Sequence, residues 1–300
     1  MEFAPPTGTP ARRPSLALLV GVWILLALIW GSTWSVVKIG LRDIPPFALL
    51  GVRMVFGTTA CGLWAMARGG LRLPGRGQRR WLAVSLLGQF MIPLPLLFWG
   101  GNRLDSGLTA LVFATTPLWT AFTAAALGWE RVPARSYLGL AVAMGGLGLI
   151  LAPALHGQLS LPGMLAILGG AVAIGASATA VKRHGGQWHL PSVLCVQFAL
   201  NGLWCLALTL LAGEPAPHWT GRGLGAAAYL GTVATVGAYV GILWLYRYLS
   251  AVSTTMLVLA DTLVALVLGA LWLGEPMGLR MLAAAGGVFG GFLLTLEWRS

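Results

Sequence analysis

Charge is what this sequence has least of. Only 9% of its 300 residues are charged, where ordinary soluble domains carry roughly 25%. There are eight carboxylates in all, and just two lysines, Lys38 and Lys182. So little charge excludes a soluble globular surface. Cysteine is also scarce: Cys61, Cys195 and Cys205 all fall inside apolar segments, which excludes a disulfide framework or a zinc cluster. The four histidines, His156, His184, His189 and His218, sit near loops, and none pairs at i, i+4 with a carboxylate. No metal site is expected from them. A glycine-rich phosphate loop and a nucleotide domain are missing too, so neither a cofactor nor direct ATP-driven work is expected.

Apolar sequence fills the space. Hydrophobic residues make up 57% of the chain and the mean hydropathy is +0.82. Runs of about 20 apolar residues recur, each long enough to cross a bilayer core as a helix. The 42 glycines suit close helix packing and the 14 tryptophans suit membrane interfaces. The expected fold is therefore an all-α integral membrane protein, with the lipid bilayer as its partner. A net charge of +11 suggests nucleic acid in a soluble chain, but here the basic residues lie in short loops between apolar runs. That is the positive-inside pattern, and no nucleic-acid partner is expected.

Ten transmembrane helices are predicted, near residues 16–38, 46–67, 81–100, 106–127, 135–152, 162–181, 191–211, 223–246, 252–273 and 279–296. Residues 1–15 read as a disordered cytoplasmic lead, and the uncharged run from Leu16 to Val37 as a retained helix, too long for a signal peptide. With the N-terminus inside, 13 Lys and Arg fall on the cytoplasmic side and 5 outside, leaving Arg53 within the second helix. Both termini are thus expected in the cytoplasm.

Two octapeptides carry the next inference. "GSTWSVVK" ends at Lys38 and "GASATAVK" ends at Lys182, 144 positions later. At an offset of 145, Phe98–Trp119 aligns with Leu243–Val264, matching Trp99 to Trp244, Leu104 to Leu249, Thr109 to Thr254 and Leu118 to Leu263. "LGWE" after the fourth helix answers the "LGE" that ends at Glu275. The chain reads as five helices duplicated, residues 16–155 and 156–300. An odd number of helices turns the second copy upside down, and such inverted repeats enclose a site at their interface. Transport is the function this predicts.

With "WGSTW" in the first helix, the two "LGE"-type turns and the duplicated five-helix unit, the sequence resembles the EamA-type drug/metabolite transporter superfamily over residues 16–296. The resemblance implies a bacterial inner-membrane protein that exports small metabolites, amino acids among them, or drugs. A monomer is compatible with it.

Candidate substrate-binding residues are the polar and aromatic groups within predicted helices. Asp261, the sole mid-helix carboxylate, suits a substrate ammonium or a proton, with Thr116 as its repeat mate. Arg53, whose mate is Gln197, suits a substrate carboxylate or else snorkels to outer headgroups. Gln89 and Asn201 are amides that both donate and accept. Trp30, Trp34 and Tyr239 supply aromatic surface, with Trp34 and Lys38 on one face of the first helix. Trp99, Trp188, Trp219, Trp244 and Trp272 read as interfacial anchors. Pro93, Pro95 and Pro117 predict bends or hinges. The competing class, a membrane enzyme acting on lipids, would draw on Asp43, Asp105 and Glu130, which lie on different faces and lack histidine partners.

Overall fold

A computed structural model describes residues 14–72, 75–129, 159–186, 188–249 and 257–275, with scattered helical positions at 138–149, at 254 and at 278–290. The predicted fifth and tenth helices and the N-terminal lead fall largely outside these residues. Among the described residues all regular structure is helical. Seven helices are long and apolar enough to span a bilayer: α1 (Leu16–Leu41), α2 (Pro46–Ala67), α3 (Arg76–Gly101), α4 (Ser106–Ala126), α5 (Leu161–Gly185), α6 (Leu190–Leu211) and α7 (Gly221–Leu245). An eighth, α8 (Leu257–Leu273), covers most of the predicted ninth. The protein is a multi-pass membrane protein, and its outer faces agree: Leu63, Met66, Leu203, Leu210 and Leu271 are each more than half exposed, a surface suited to lipid.

Helix ends run past the hydropathy windows where charged residues continue the backbone pattern. Helix α1 extends beyond Lys38 to Leu41, α5 beyond Lys182 to Gly185, and α3 begins at Arg76. Hydropathy marks the bilayer crossing; the helix itself ends where its hydrogen bonds end.

Proline shapes α3 and α4. Pro117 has no N–H for the Phe113 carbonyl, so α4 breaks at Ala114–Thr115 and the Thr116 hydroxyl donates to that oxygen at 2.7 Å. Pro95 likewise leaves the Met91 carbonyl free, and the Trp204 indole of α6 donates to it at 3.0 Å. Just before it, Leu87–Met91 forms a π-helical turn. A second π-helical turn, Thr232–Gly237 in α7, begins 145 residues later. Its Ala234 carbonyl accepts from the Trp30 indole at 3.1 Å. These are bends whose freed carbonyls have found new donors, as a membrane interior demands.

Two glutamates staple helix N-termini across the chain. Helix α2 starts behind Pro45, which offers no capping side chain, and Glu214 accepts from Phe47 N (2.9 Å) and Ala48 N (3.0 Å) instead. Asp105 stands at the N-cap of α4 without a side-chain cap bond. Glu275 does that work from beyond α8, accepting from Ser106 N (2.8 Å), Ser106 Oγ (2.7 Å) and Gly107 N (3.1 Å). It can turn back because Gly274 adopts φ +66°, a left-handed helix cap that glycine adopts without strain. Glu275→Ala removes a charged cap and is expected to cost about 1 kcal/mol, within the usual 0.5–2 kcal/mol of lost caps. Thermal melting of the purified variant in detergent checks it.

Helices of the two halves alternate in the packing. Helix α2 lies along α6, α1 along α8, and α5 against α3 and α4, while α7 crosses α1 and α2. The closest approaches use glycine. A Cβ on Gly31 of α1 would overlap Val264 and lie 2.7 Å from the Asp261 carbonyl of α8. A Cβ on Gly175 of α5 would lie 2.7 Å from the Thr116 carbonyl of α4.

Candidate functional site

A cavity of about 150 Å³ lies between α1, α2, α3, α4, α5, α7 and α8. Apolar and aromatic side chains dominate its wall, with polar groups at a few points. That is the usual constitution of a small-molecule site.

Arg53 enters from α2. It is 6% exposed, and its Nε donates to Thr235 Oγ1 at 2.9 Å. Thr235 is held in turn, its hydroxyl donating to the Leu230 carbonyl at 2.6 Å inside the π-helical turn. The guanidinium carbon stands 5.5 Å from the Phe98 ring centroid. Snorkelling to the headgroups is thus overturned: Thr235 and Phe98 turn the side chain inward, where it lines the cavity.

Asp261 faces it from α8 at 2% exposure. Trp34 and Thr262 both hydrogen-bond its carboxyl group, while Oδ1 has no partner. The Trp34 ring also packs on Phe113, centroids 5.2 Å apart. Across the cavity, Tyr239 Oη donates to Gln89 Oε1 at 3.1 Å, and Gln89 Nε2 donates to the Ile174 carbonyl (3.1 Å) and Ser177 Oγ (2.5 Å). One amide therefore ties α7, α3 and α5 together. Half-buried Lys38 also lines the wall.

Eight of the ten predicted residues line this one cavity: Trp30, Trp34, Lys38, Arg53, Gln89, Thr116, Tyr239 and Asp261. Gln197 and Asn201 do not. They are buried on α6, where Gln197 Nε2 reaches the Leu82 carbonyl at 3.4 Å and both polar atoms of Asn201 lack partners. Trp188 is buried as well, and is no interfacial anchor.

Composition did not single out Phe90, Leu94, Leu97, Phe98, Phe113, Ile174, Thr235, Ile242 or Val258, which complete much of the wall. A signal existed for two of them, Leu94 and Ile174, the repeat mates of Tyr239 and Trp30. At the 145-residue offset, the lining contains Gln89 with Ala234, Phe90 with Thr235, Leu94 with Tyr239 and Leu97 with Ile242. Gly101 with Tyr246, Phe113 with Val258 and Thr116 with Asp261 follow the same rule. At 144, Trp30 pairs with Ile174 and Val37 with Val181. Shifting Trp30, Gln89 and Tyr239 by the repeat finds Ile174, Ala234 and Leu94.

Of the carboxylates proposed for lipid chemistry, Asp43 is engaged elsewhere. Asp43 receives Arg222 Nη2 (2.6 Å), Arg222 Nε (2.9 Å) and Thr220 Oγ1 (2.6 Å). The Arg222 fork and then Thr220 hold its carboxyl down at about 2, from 3.8. A depressed carboxylate stabilises the fold above its unfolded pKa and loses that contribution as pH falls through the folded one. The melting difference between wild type and Asp43→Asn should accordingly be constant above about pH 5 and shrink to nothing towards pH 2. A pH series of melting curves checks this. Glu275 is committed to its cap, Asp105 heads α4, and Glu130 lies outside the described residues. Among the described residues no three His, Cys, Asp or Glu gather as a metal would require.

The model of the EamA-like transporter family matches residues 17–152 and again residues 161–297. The chain is 28% identical over 302 residues to the uncharacterized inner membrane transporter YedA of Escherichia coli, covering 95% of this chain and 93% of that one. It is 26% identical over 294 residues to a Streptantibioticus cattleyicolor protein named "probable terminal-alkyne amino-acid exporter", covering 93% and 94%. The similarity to protein PagO of Salmonella typhimurium, at 29%, spans 133 residues, 43% of that protein. One solved crystal structure shares the fold at a TM-score of 0.66 and 20% identity, over 93% of this chain and 96% of that one.

Proposed function

The chain belongs to the EamA-like transporter family, and on that premise we propose that it is a secondary carrier exporting small amphiphilic metabolites, amino acids in particular, across a bacterial inner membrane. It works without ATP, by alternating access. Its frame is ten helices in two inverted five-helix repeats, residues 16–155 and 156–300, with both termini in the cytoplasm. The substrate occupies the central cavity against Trp34, Gln89, Tyr239 and Asp261.

One observation carries this reading: the cavity wall is built from repeat-related pairs. Two copies of one unit, inserted in opposite senses, give two packings of nearly equal energy, one open to each side. The paired π-helical turns and the paired glycine crossings support the same frame. Twinned bends let each half adopt the other's shape without new broken hydrogen bonds. An apolar, aromatic wall with an isolated carboxylate and an isolated guanidinium suits a molecule with an apolar body and a charged head. A relative named as an amino-acid exporter supports that class.

The test is flux of labelled amino acids in liposomes holding the purified protein, with and without a pH gradient. Saturable flux that unlabelled amino acids compete away supports the reading. Absence of flux for every amino acid, in protein shown to be folded, contradicts it. Equal flux in both arms assigns facilitated diffusion; gradient-dependent flux assigns proton coupling.

A further inference from the structure

The two-fold logic of the cavity fails at its charges. Most apolar and neutral lining residues come with a lining mate, Thr33, Trp34, Phe98, Ser106 and Thr109 being exceptions, and none of the three charged residues, Arg53, Lys38 and Asp261, has a charged mate in the wall. The mate of Arg53 is Gln197, buried on α6 outside the cavity; that of Asp261 is Thr116; that of Lys38 is Lys182, which does not line it.

Arg53 is the more deeply buried of the two cations. It is 6% exposed, deep among helices, and among the described residues no carboxylate lies within ion-pair distance of it. Thr235 engages only its Nε, which fixes the plane of the guanidinium, and Phe98 backs one side. The two terminal nitrogens therefore form a fork, set in a water-poor wall and left for an occupant. A buried cation held this way is stable only if something anionic reaches it. A fork of two parallel N–H donors matches a planar carboxylate, to which it binds in a bidentate manner.

Resting on the carrier reading above, we infer that Arg53 is the specificity-determining residue and that the cargo must carry a carboxylate. The carboxylate is the obligatory part of the cargo; the amino group, held at Asp261, adds affinity. The apolar wall accepts the remainder of the molecule without demanding one shape.

Three compounds with a common apolar side chain separate the contributions: an amino acid, the amine formed by removing its carboxyl group, and the acid formed by removing its amino group. Binding to the purified protein in detergent is read by fluorescence of the cavity tryptophans Trp30 and Trp34, and flux is read in liposomes. Wild type is expected to bind the amino acid and the deaminated acid, and to bind the amine at least tenfold more weakly. Arg53→Gln should weaken both carboxylates at least tenfold and leave the amine unchanged. Arg53→Lys keeps the charge without the fork, so it should restore part of the affinity, and it serves if Arg53→Gln does not fold. Binding of the amine as tight as that of the amino acid, no binding of either carboxylate by folded wild type, or carboxylate binding unaffected in a folded Arg53 variant would overturn the inference. Binding that depends on Arg53 but yields no flux upholds the anion site and contradicts the carrier reading instead.

Discussion

Asp261→Asn is expected to lower amino-acid flux roughly 10- to 100-fold, mainly through a higher KM, while leaving the protein folded. Asn keeps an oxygen for the Trp34 indole, so the local packing and that hydrogen bond survive. What goes is the acid group whose Oδ1, now without a partner, faces the cavity and can pair as a carboxylate with a substrate ammonium. A hydrogen bond to a charged group is worth about 1.5–3 kcal/mol, and each 1.4 kcal/mol is about tenfold in affinity. The deaminated acid is the internal control. It has no ammonium to lose, and its flux should hold or rise once the unpaired carboxylate is gone. Concentration dependence of flux for both compounds checks the expectation, and an equal loss for both would remove Asp261 from substrate binding.

Gly31→Ala and Gly175→Ala should be damaging to a similar degree, although 144 positions separate them. The new methyl of Gly31→Ala meets Val264 and, at 2.7 Å, the Asp261 carbonyl. That of Gly175→Ala meets Trp119 Cβ at 2.6 Å, the Thr116 carbonyl at 2.7 Å and Thr120 N at 2.9 Å. Backbone atoms cannot swing aside as a flexible side chain does, so helices must separate. Overpacking of this kind costs about 1–3 kcal/mol for each variant. The two clashes share no partner, so the double variant should lose about the sum. Gly21→Ala is the control, because nothing lies within 4 Å of its added carbon. Melting curves in detergent check all four proteins. A harmless substitution at one of the two crossings would contradict their equivalence, and with it the repeat frame.

The eight described helices were legible because a bilayer imposes one strong requirement, about 20 apolar residues between polar breaks. Their ends were less so: Lys38 and Lys182 mark the edge of the apolar layer, yet the backbone continues past both. Asp261 and Gln89 could be read as site residues because a polar group inside a membrane must face a cavity or a partner. The same rule misplaced Gln197 and Asn201, since it does not say which of the two it will be. Helix α6 is apolar nearly all round, so no periodic pattern reveals which side faces inward. Arg53 was ambiguous for a different reason. Its distance from the helix end allows snorkelling, and only Thr235, brought close by a π-helical turn that composition does not announce, decides its direction. The aromatic wall was hidden by abundance, because Phe90, Phe98 and Phe113 look like any other membrane phenylalanines. The repeat offset pairs Phe90 with Thr235 and Phe113 with Val258, but those mates carry no signal of their own.

The central claim is that the cavity carries its occupant through the membrane by opening to one side and then the other. Counterflow tests it most directly. Liposomes containing the protein are loaded with an unlabelled amino acid, and entry of the same labelled compound is followed from outside. A carrier returns loaded more often than empty, so the label should enter transiently above its equilibrium level, and only when the interior was preloaded. Monotonic entry of label at a rate indifferent to preloading would mean an open pore, and would contradict the account.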